Sequence, residues 1–145
     1  MKLWSKIAVL LALLPLVASA QYKDLDVALS NLSRGFGSGD PQAIVSGIAD
    51  GDKVMLQFPG LIDQSGSDFY GRDQAVYLLD GLFNKVHPTA FEQESARKVS
   101  SEGQYHITGT WTIQAAGKSE TRELYITLRN KNDRWSIVAV RSAGK

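Results

Sequence analysis

His106 is the residue of this sequence best suited to acid–base chemistry, because an unperturbed imidazole titrates near neutral pH. Cysteine is absent, which excludes a thiol nucleophile and any disulfide. Apolar alternation directs Tyr105 and Trp111 to one face of a strand and His106 to the other. Because a shift of one residue in register reverses every side chain, both catalysis by His106 and a solvated strand histidine stay open.

The other candidates for polar chemistry are weaker. His87 and His106 lack a third partner at fixed spacing, whereas catalytic zinc usually has three protein ligands. Asp63 and Asp68 flank a turn that lacks the alternating oxygen ligands and the terminal glutamate of a calcium loop. We therefore predict no metal and no cofactor, and a solvated turn around Asp63.

Large aromatic residues are the second group of candidates, because they can form the wall of a ligand pocket. Such residues more often form core, so both roles stay open. The pocket-lining candidates are Phe58, Tyr70, Phe83, Tyr105, Trp111, Tyr125 and Trp135.

Apolar residues at three- and four-residue steps predict the helices that position these side chains. The first is predicted from Asp24 to Phe36 and ended by Gly35, Gly37 and Gly39. Asp40 can cap a helix and Pro41 suits the first helical position, so this pair predicts a short second helix over Gln42–Ala49. A third helix is predicted over Arg72–Phe83.

Strands occupy most of the second half, where alternation replaces helical spacing. A strand over Lys53–Phe58 and a short extended piece over Asp68–Tyr70 lie between the helices. The later strands are predicted at Phe91–Val99, Tyr105–Ile113, Glu123–Leu128 and Trp135–Arg141. Helices followed by an antiparallel meander indicate the α+β class, with the helices on one face of the sheet.

Residues 1–20 have the three parts of a secretory signal peptide. Lys2 and Lys6 precede an apolar run, which is shorter than the roughly 20 residues that span a bilayer. A small-x-small site predicts cleavage between Ala20 and Gln21. We therefore expect an exported protein, periplasmic or extracellular, with a single domain over residues 21–145. Without a cysteine at the junction, we expect no lipid anchor and no stable membrane anchor after processing.

Charge changes little after processing. The precursor has 16 basic and 15 acidic residues, and the loss of Lys2 and Lys6 leaves a net charge of −1. Nucleic-acid-binding domains carry a dense basic face. The mature chain has none in its sequence pattern, so nucleic acid is excluded as a partner.

The order of elements resembles the nuclear-transport-factor-2-like superfamily, also called cystatin-like or SnoaL-like. Gly39-Asp40-Pro41 is similar to its junction between the first two helices, and Tyr70-Gly71-Arg72 to the entry of its third. The signal peptide, the Pro59-Gly60 turn and the strand from Arg122 to Leu128 are similar to a group of short secreted bacterial proteins of unknown function. The resemblance implies a cone, in which three N-terminal helices pack on a curved, mainly antiparallel sheet of four to six strands and enclose a pocket.

The superfamily includes ketosteroid isomerases, whose catalytic positions can be compared one by one. Phe58 stands where the resemblance implies the catalytic base, and Leu32 where it implies the oxyanion donor. Neither side chain can exchange a proton or donate a hydrogen bond, so steroid isomerisation is excluded.

Three hypotheses about function remain after this exclusion. The preferred one is a non-catalytic module that binds a small apolar or amphipathic ligand, or a partner. The alternatives are a small hydrolase, isomerase or dehydratase that uses His106, and a scaffold that forms a homodimer through its sheet.

Overall fold

The computed structural model describes residues 25–63, 66–99 and 103–143. These residues form helices α1 (Leu25–Ser38), α2 (Pro41–Val45) and α3 (Arg72–Lys85). The strands are β1 (Val54–Gln57), β2 (Phe69–Tyr70), β3 (His87–Val99), β4 (Gln104–Ala115), β5 (Lys118–Lys131) and β6 (Arg134–Ser142). The predicted signal peptide and the cleavage site at Ala20 and Gln21 lie outside the described residues.

The six strands form one sheet in the order β2-β1-β6-β5-β4-β3. Strands β3 to β6 form an antiparallel meander, β2 pairs antiparallel with β1, and β1 pairs parallel with β6. The helices pack against one face of this sheet, which we call the inner face; the opposite one is the outer face. The predicted α+β arrangement of helices on a mainly antiparallel sheet is confirmed.

Helix α1 continues past Gly35 and Gly37, two of the three glycines predicted to end it, and the third, Gly39, directly follows its last residue, Ser38. Gly35 lies inside the helix because α2 packs directly against it: a Cβ atom there would lie 2.3 Å from Cγ1 of Ile44. The helix ends at Gly39, whose φ of +75° is the left-handed conformation that glycine tolerates. The amide groups of Gly39 and Asp40 both donate to the carbonyl of Gly35, at 3.0 Å each.

Strand β3 also differs from its prediction, since it begins at His87 rather than Phe91. Pro88 lies within it, opposite Ile113. A proline lacks the amide hydrogen of a strand ladder, but β3 is the last strand of the sheet, and edge strands tolerate proline. The second helix is shorter than predicted and ends at Val45.

Trp111 is the centre of the core. Its side chain is 0% exposed, and its ring lies 5.7 Å from that of Phe36, 6.0 Å from that of Phe58 and 6.3 Å from that of Phe83. The indole Nε1 donates a 2.8 Å hydrogen bond to the backbone carbonyl of Phe36. Aromatic side chains therefore fill the space between the helices and the inner face of β4.

Candidate ligand-binding groove

A groove of about 580 Å³ lies between α3 and the chain that connects β1 to β2. Ligand pockets in proteins commonly measure about 300–1,000 Å³, so this volume suits a small molecule. The groove is mostly apolar. Its lining residues are Ile62, Asp63, Tyr70, Asp73, Gln74, Tyr77, Leu78, Gly81 and Leu82.

Helix α3 supplies one wall in two rows of side chains. Residues four apart lie above one another on a helix, so Asp73, Tyr77 and Gly81 form the outer row. Gln74, Leu78 and Leu82 form the row nearer the core, in which Leu82 is fully buried. Gly81 has no heavy atom within 4 Å of the position of a Cβ, which leaves the groove open at that point.

The opposite wall begins at a turn that two long cationic side chains hold in place. Nζ of Lys85, at the end of α3, donates to the carbonyl of Leu61 at 2.8 Å. Nη1 of Arg122, on β5, donates to the carbonyl of Pro59 at 3.1 Å. The Arg122 side chain is only 9% exposed and lies on the inner face with Leu124. These contacts position Ile62 beside α3.

A second set of hydrogen bonds positions Tyr70 at the other end of the same connection. Asp68 accepts from Nε2 of Gln57 at 2.8 Å, and its carbonyl accepts from the amide of Leu56 at 3.0 Å. Asp68 thus joins β1 to the segment that leads into β2. In this structure Asp68 therefore stabilises the loop between β1 and β2.

The charged groups that line the groove are both acidic. Asp63 and Asp73 are exposed, and neither forms an ion pair within the part of the chain that the structure describes. The side chain of Gln74 is already hydrogen-bonded at the N-terminus of α3, where its Oε1 accepts from the backbone amide of Gly71 at 3.0 Å. The groove therefore combines an apolar floor with two carboxylates and the phenols of Tyr70 and Tyr77.

The aromatic candidates from the sequence lie in four different places. Tyr70 lines the groove, whereas Phe58, Phe83 and Trp111 pack together in the core. Tyr105 and Trp135 are half-buried and meet edge to face, with their rings 5.9 Å apart. Their roles in ligand binding stay predictions.

Tyr125 lies on the outer face, between the inward residues Leu124 and Ile126. Its hydroxyl donates to Oε2 of Glu123 at 2.5 Å, and the guanidinium of Arg141 lies 5.2 Å from the ring centre. The hydrogen bond to Glu123 and the negative charge of that carboxylate raise the pKa of Tyr125 above its ordinary value. The phenol is therefore neutral at physiological pH.

His106 is exposed on the outer face, as the apolar alternation predicts. Its Nε2 lies 3.3 Å from Oε1 of Gln104, and Arg97 lies opposite it on β3. The acid–base hypothesis required the ring to point into the cone, and the sheet separates it from that side. His87 is exposed at the start of β3. Among the described residues, no group of three or more His, Cys, Asp or Glu side chains is arranged to hold a metal ion.

Two positions implied by the isomerase resemblance are part of the core. Leu32 and Phe58 are both buried, Leu32 among apolar residues of α1 and Phe58 against Trp111. The chain therefore carries apolar packing where ketosteroid isomerases are expected to carry a proton donor and a base.

The groove itself was not predicted from the sequence. Its strongest signal is Tyr77, which lies off the apolar stripe of α3 and is 84% exposed. A single exposed tyrosine is common on protein surfaces, so Tyr77 indicates a binding surface only together with the apolar lining of Ile62, Leu78 and Leu82. Its partners across the groove come from another segment, so spacing along the chain does not reveal them.

The arrangement of helices on this sheet is the nuclear-transport-factor-2-like fold, and solved structures confirm it. No family model matches the sequence, and a search of curated proteins finds no match. The part of the chain that the structure describes contains no helix with the length and apolarity needed to cross a membrane.

The similar solved structures include DUF4783 family proteins from two Bacteroides species. The one from Bacteroides fragilis has a TM-score of 0.62 and 19% identity, over 79% of this chain and 96% of that chain. The one from Bacteroides uniformis has a TM-score of 0.64 and 16% identity, over 80% and 95%. A hypothetical protein from Catenulispora acidiphila with a ketosteroid isomerase-like fold, solved in complex with trimethylamine, has a TM-score of 0.61 and 11% identity, over 81% and 85%.

Proposed function

We propose that this protein is an exported, non-catalytic module that binds a small apolar or amphipathic molecule in the groove beside α3. The observation that carries the proposal is the groove itself, with its volume of about 580 Å³ and its mostly apolar lining. Burial of apolar surface drives binding of such ligands, and a few polar groups orient them. Here those polar groups are the carboxylates of Asp63 and Asp73 and the phenols of Tyr70 and Tyr77.

Binding is favoured over catalysis because the residue best suited to acid–base chemistry, His106, does not line the groove. His106 lies on the outer face, away from the groove and from the core. The protein from Catenulispora acidiphila was solved with a small organic ligand, which supports the view that this fold accommodates such molecules. The site in the present chain is proposed from its own lining residues.

Gly81→Leu is expected to weaken binding of the neutral fluorescent probe N-phenyl-1-naphthylamine at least about tenfold. The new side chain enters the groove, because Gly81 lines it and nothing lies within 4 Å of its Cβ position. The helix should remain intact, since glycine in a helix costs about 0.5–1 kcal/mol relative to alanine. Fluorescence titration measures the affinity for the probe, and a thermal melt of each variant checks that the protein is folded.

The matched control is Asp80→Leu, which adds the same side chain to the neighbouring exposed position of α3 outside the groove. This variant should bind the probe as the natural chain does. Equal loss of binding in both variants, or no loss in either, would contradict the proposal that the probe binds in the groove.

Export is proposed from residues 1–20 and has its own test. The full-length chain, made in a Gram-negative host, is expected to accumulate outside the cytoplasm with Gln21 as its first residue. Cell fractionation with mass measurement of the intact protein gives the result. A cytoplasmic chain that retains Lys2 and Lys6 would contradict the proposal.

A further inference from the structure

The charged side chains that line the groove beside α3 are both acidic. Asp63 and Asp73 lie on its two walls, one in the chain after β1 and the other in the first turn of α3. The ion pairs of the described residues are Arg34 with Asp40, Arg72 with Asp50 and Arg122 with Glu120, and none involves these two carboxylates. No lysine or arginine is among the residues that line the groove.

Lys85 and Arg122 are directed to the turn before the groove rather than into it. Each donates to a backbone carbonyl of the turn before the groove, at Leu61 and Pro59 respectively. They hold the wall and do not line the cavity. Among the described residues that line the groove, a bound ligand therefore meets two carboxylates and no cationic side chain.

The remaining lining suits an organic cation better than a metal ion. Ile62, Leu78 and Leu82 provide apolar surface, and the Tyr77 ring is 84% exposed. The face of a tyrosine ring attracts a cation within about 6 Å, most strongly when the cation is weakly hydrated. A hard metal ion needs several convergent oxygen ligands. The described residues offer no such group of three.

We infer that the ligand of this groove is an amphipathic organic cation: an ammonium group held between Asp63 and Asp73, with an apolar body on Ile62, Leu78 and Leu82. This inference rests on the proposed function, because it names the ligand class of the same groove. It also predicts discrimination, since an anionic head group would be repelled where a cationic one is attracted.

The experiment compares three ligands that share one tail: octyltrimethylammonium, octyl sulfate and octyl glucoside. Their binding to the mature chain is measured by calorimetry at low salt and below micelle-forming concentrations. The cation is expected to bind about tenfold or more tightly than the anion, with the neutral ligand between them. Added salt should reduce that difference, and Gly81→Leu should weaken all three ligands.

The charge variants decide the inference. Asp63→Asn with Asp73→Asn should bring cation and anion binding to within about twofold of each other, because the local charge is removed. The control, Asp26→Asn with Asp80→Asn, removes the same net charge outside the groove and also includes one acid from the first turn of a helix. It should preserve most of the preference.

The outcomes separate the two proposals. Equal binding of all three ligands, still sensitive to Gly81→Leu, would overturn the cationic ligand and leave the groove as a binding site. Loss of preference in both double variants would also overturn it, because net charge alone would then explain the selectivity. Binding of none of the three ligands, together with no binding of N-phenyl-1-naphthylamine, would overturn the proposed function as well.

Discussion

Trp111→Ala is expected to lower the free energy of unfolding by about 3–5 kcal/mol, the usual range for removing a buried tryptophan. The side chain is 0% exposed and contacts the rings of Phe36, Phe58 and Phe83. Its removal leaves a cavity among neighbours on α1, on α3 and at the end of β1. It also leaves the buried carbonyl of Phe36 without its indole donor. Urea unfolding followed by circular dichroism gives the value.

Two companion variants separate the causes of that loss. Trp111→Phe keeps an aromatic ring but cannot donate to the Phe36 carbonyl, and an unpaired buried polar group costs about 1–3 kcal/mol. Trp135→Ala removes a half-buried indole whose ring contact is with Tyr105, so its effect should be smaller. A loss at Trp135 equal to that at Trp111 would contradict the assignment of Trp111 as the core centre.

Gly109→Ala is the second variant for which a large destabilisation is expected, although it adds only a methyl group. A Cβ at Gly109 would lie 2.6 Å from Cε1 and Cζ of Phe91 and 2.7 Å from the carbonyl oxygen of Glu92. Overpacking costs about 1–3 kcal/mol, and we expect the upper part of that range because a backbone atom as well as a ring must move. The β3–β4 pairing would shift with it.

Gly81→Ala is the matched control for this glycine. The same methyl group there meets nothing within 4 Å and lies in the middle of α3. Because alanine restricts the unfolded chain and favours helix, the free energy of unfolding should rise by about 0.4–1 kcal/mol. Chemical denaturation of both variants compares them directly. If both substitutions changed the free energy of unfolding in the same direction, the close approach of Phe91 would not be the cause of the effect at Gly109.

These stability predictions bear on where a ligand can bind. The resemblance implies a pocket inside the cone, but Trp111, Phe36, Phe58 and Phe83 occupy the space beneath β4. The groove lies on the side of α3 that faces away from these aromatic residues. Substitutions at Gly81, Asp63 and Asp73 can therefore test binding without disturbing the aromatic core.

The α+β arrangement followed from the sequence because short-range periodicity reports directly which side of an element is buried. Leu124, Ile126 and Leu128 alternate with Glu123 and Thr127, and the structure buries the first three. Similarly, Ile107, Trp111 and Ile113 are inward and His106 is outward. Such patterns need only the period of the strand, which is two residues.

The boundaries of α1, α2 and β3 depended on neighbours that local patterns do not contain. Gly35 lies inside α1, where its missing side chain leaves the space that Ile44 of α2 occupies. Pro88 is tolerated in β3 because that strand is the edge of the sheet formed by the described residues. In both cases the position of the residue in the tertiary structure, rather than its local preference, decides the boundary.

The sequence by itself determined the helical and strand faces, the absence of cysteine chemistry and the replacement of isomerase residues by Phe58 and Leu32. It also presented His106 as the residue best suited to chemistry, with its face left open. Only the tertiary structure assigned that ring to the outer face and brought Ile62, Asp63 and Tyr70 beside α3. The physical reason is that the groove wall is held by Lys85 and Arg122, which lie 24 and 63 residues away in sequence from the carbonyls they bind. Contacts of that range arise only when the sheet and α3 pack together.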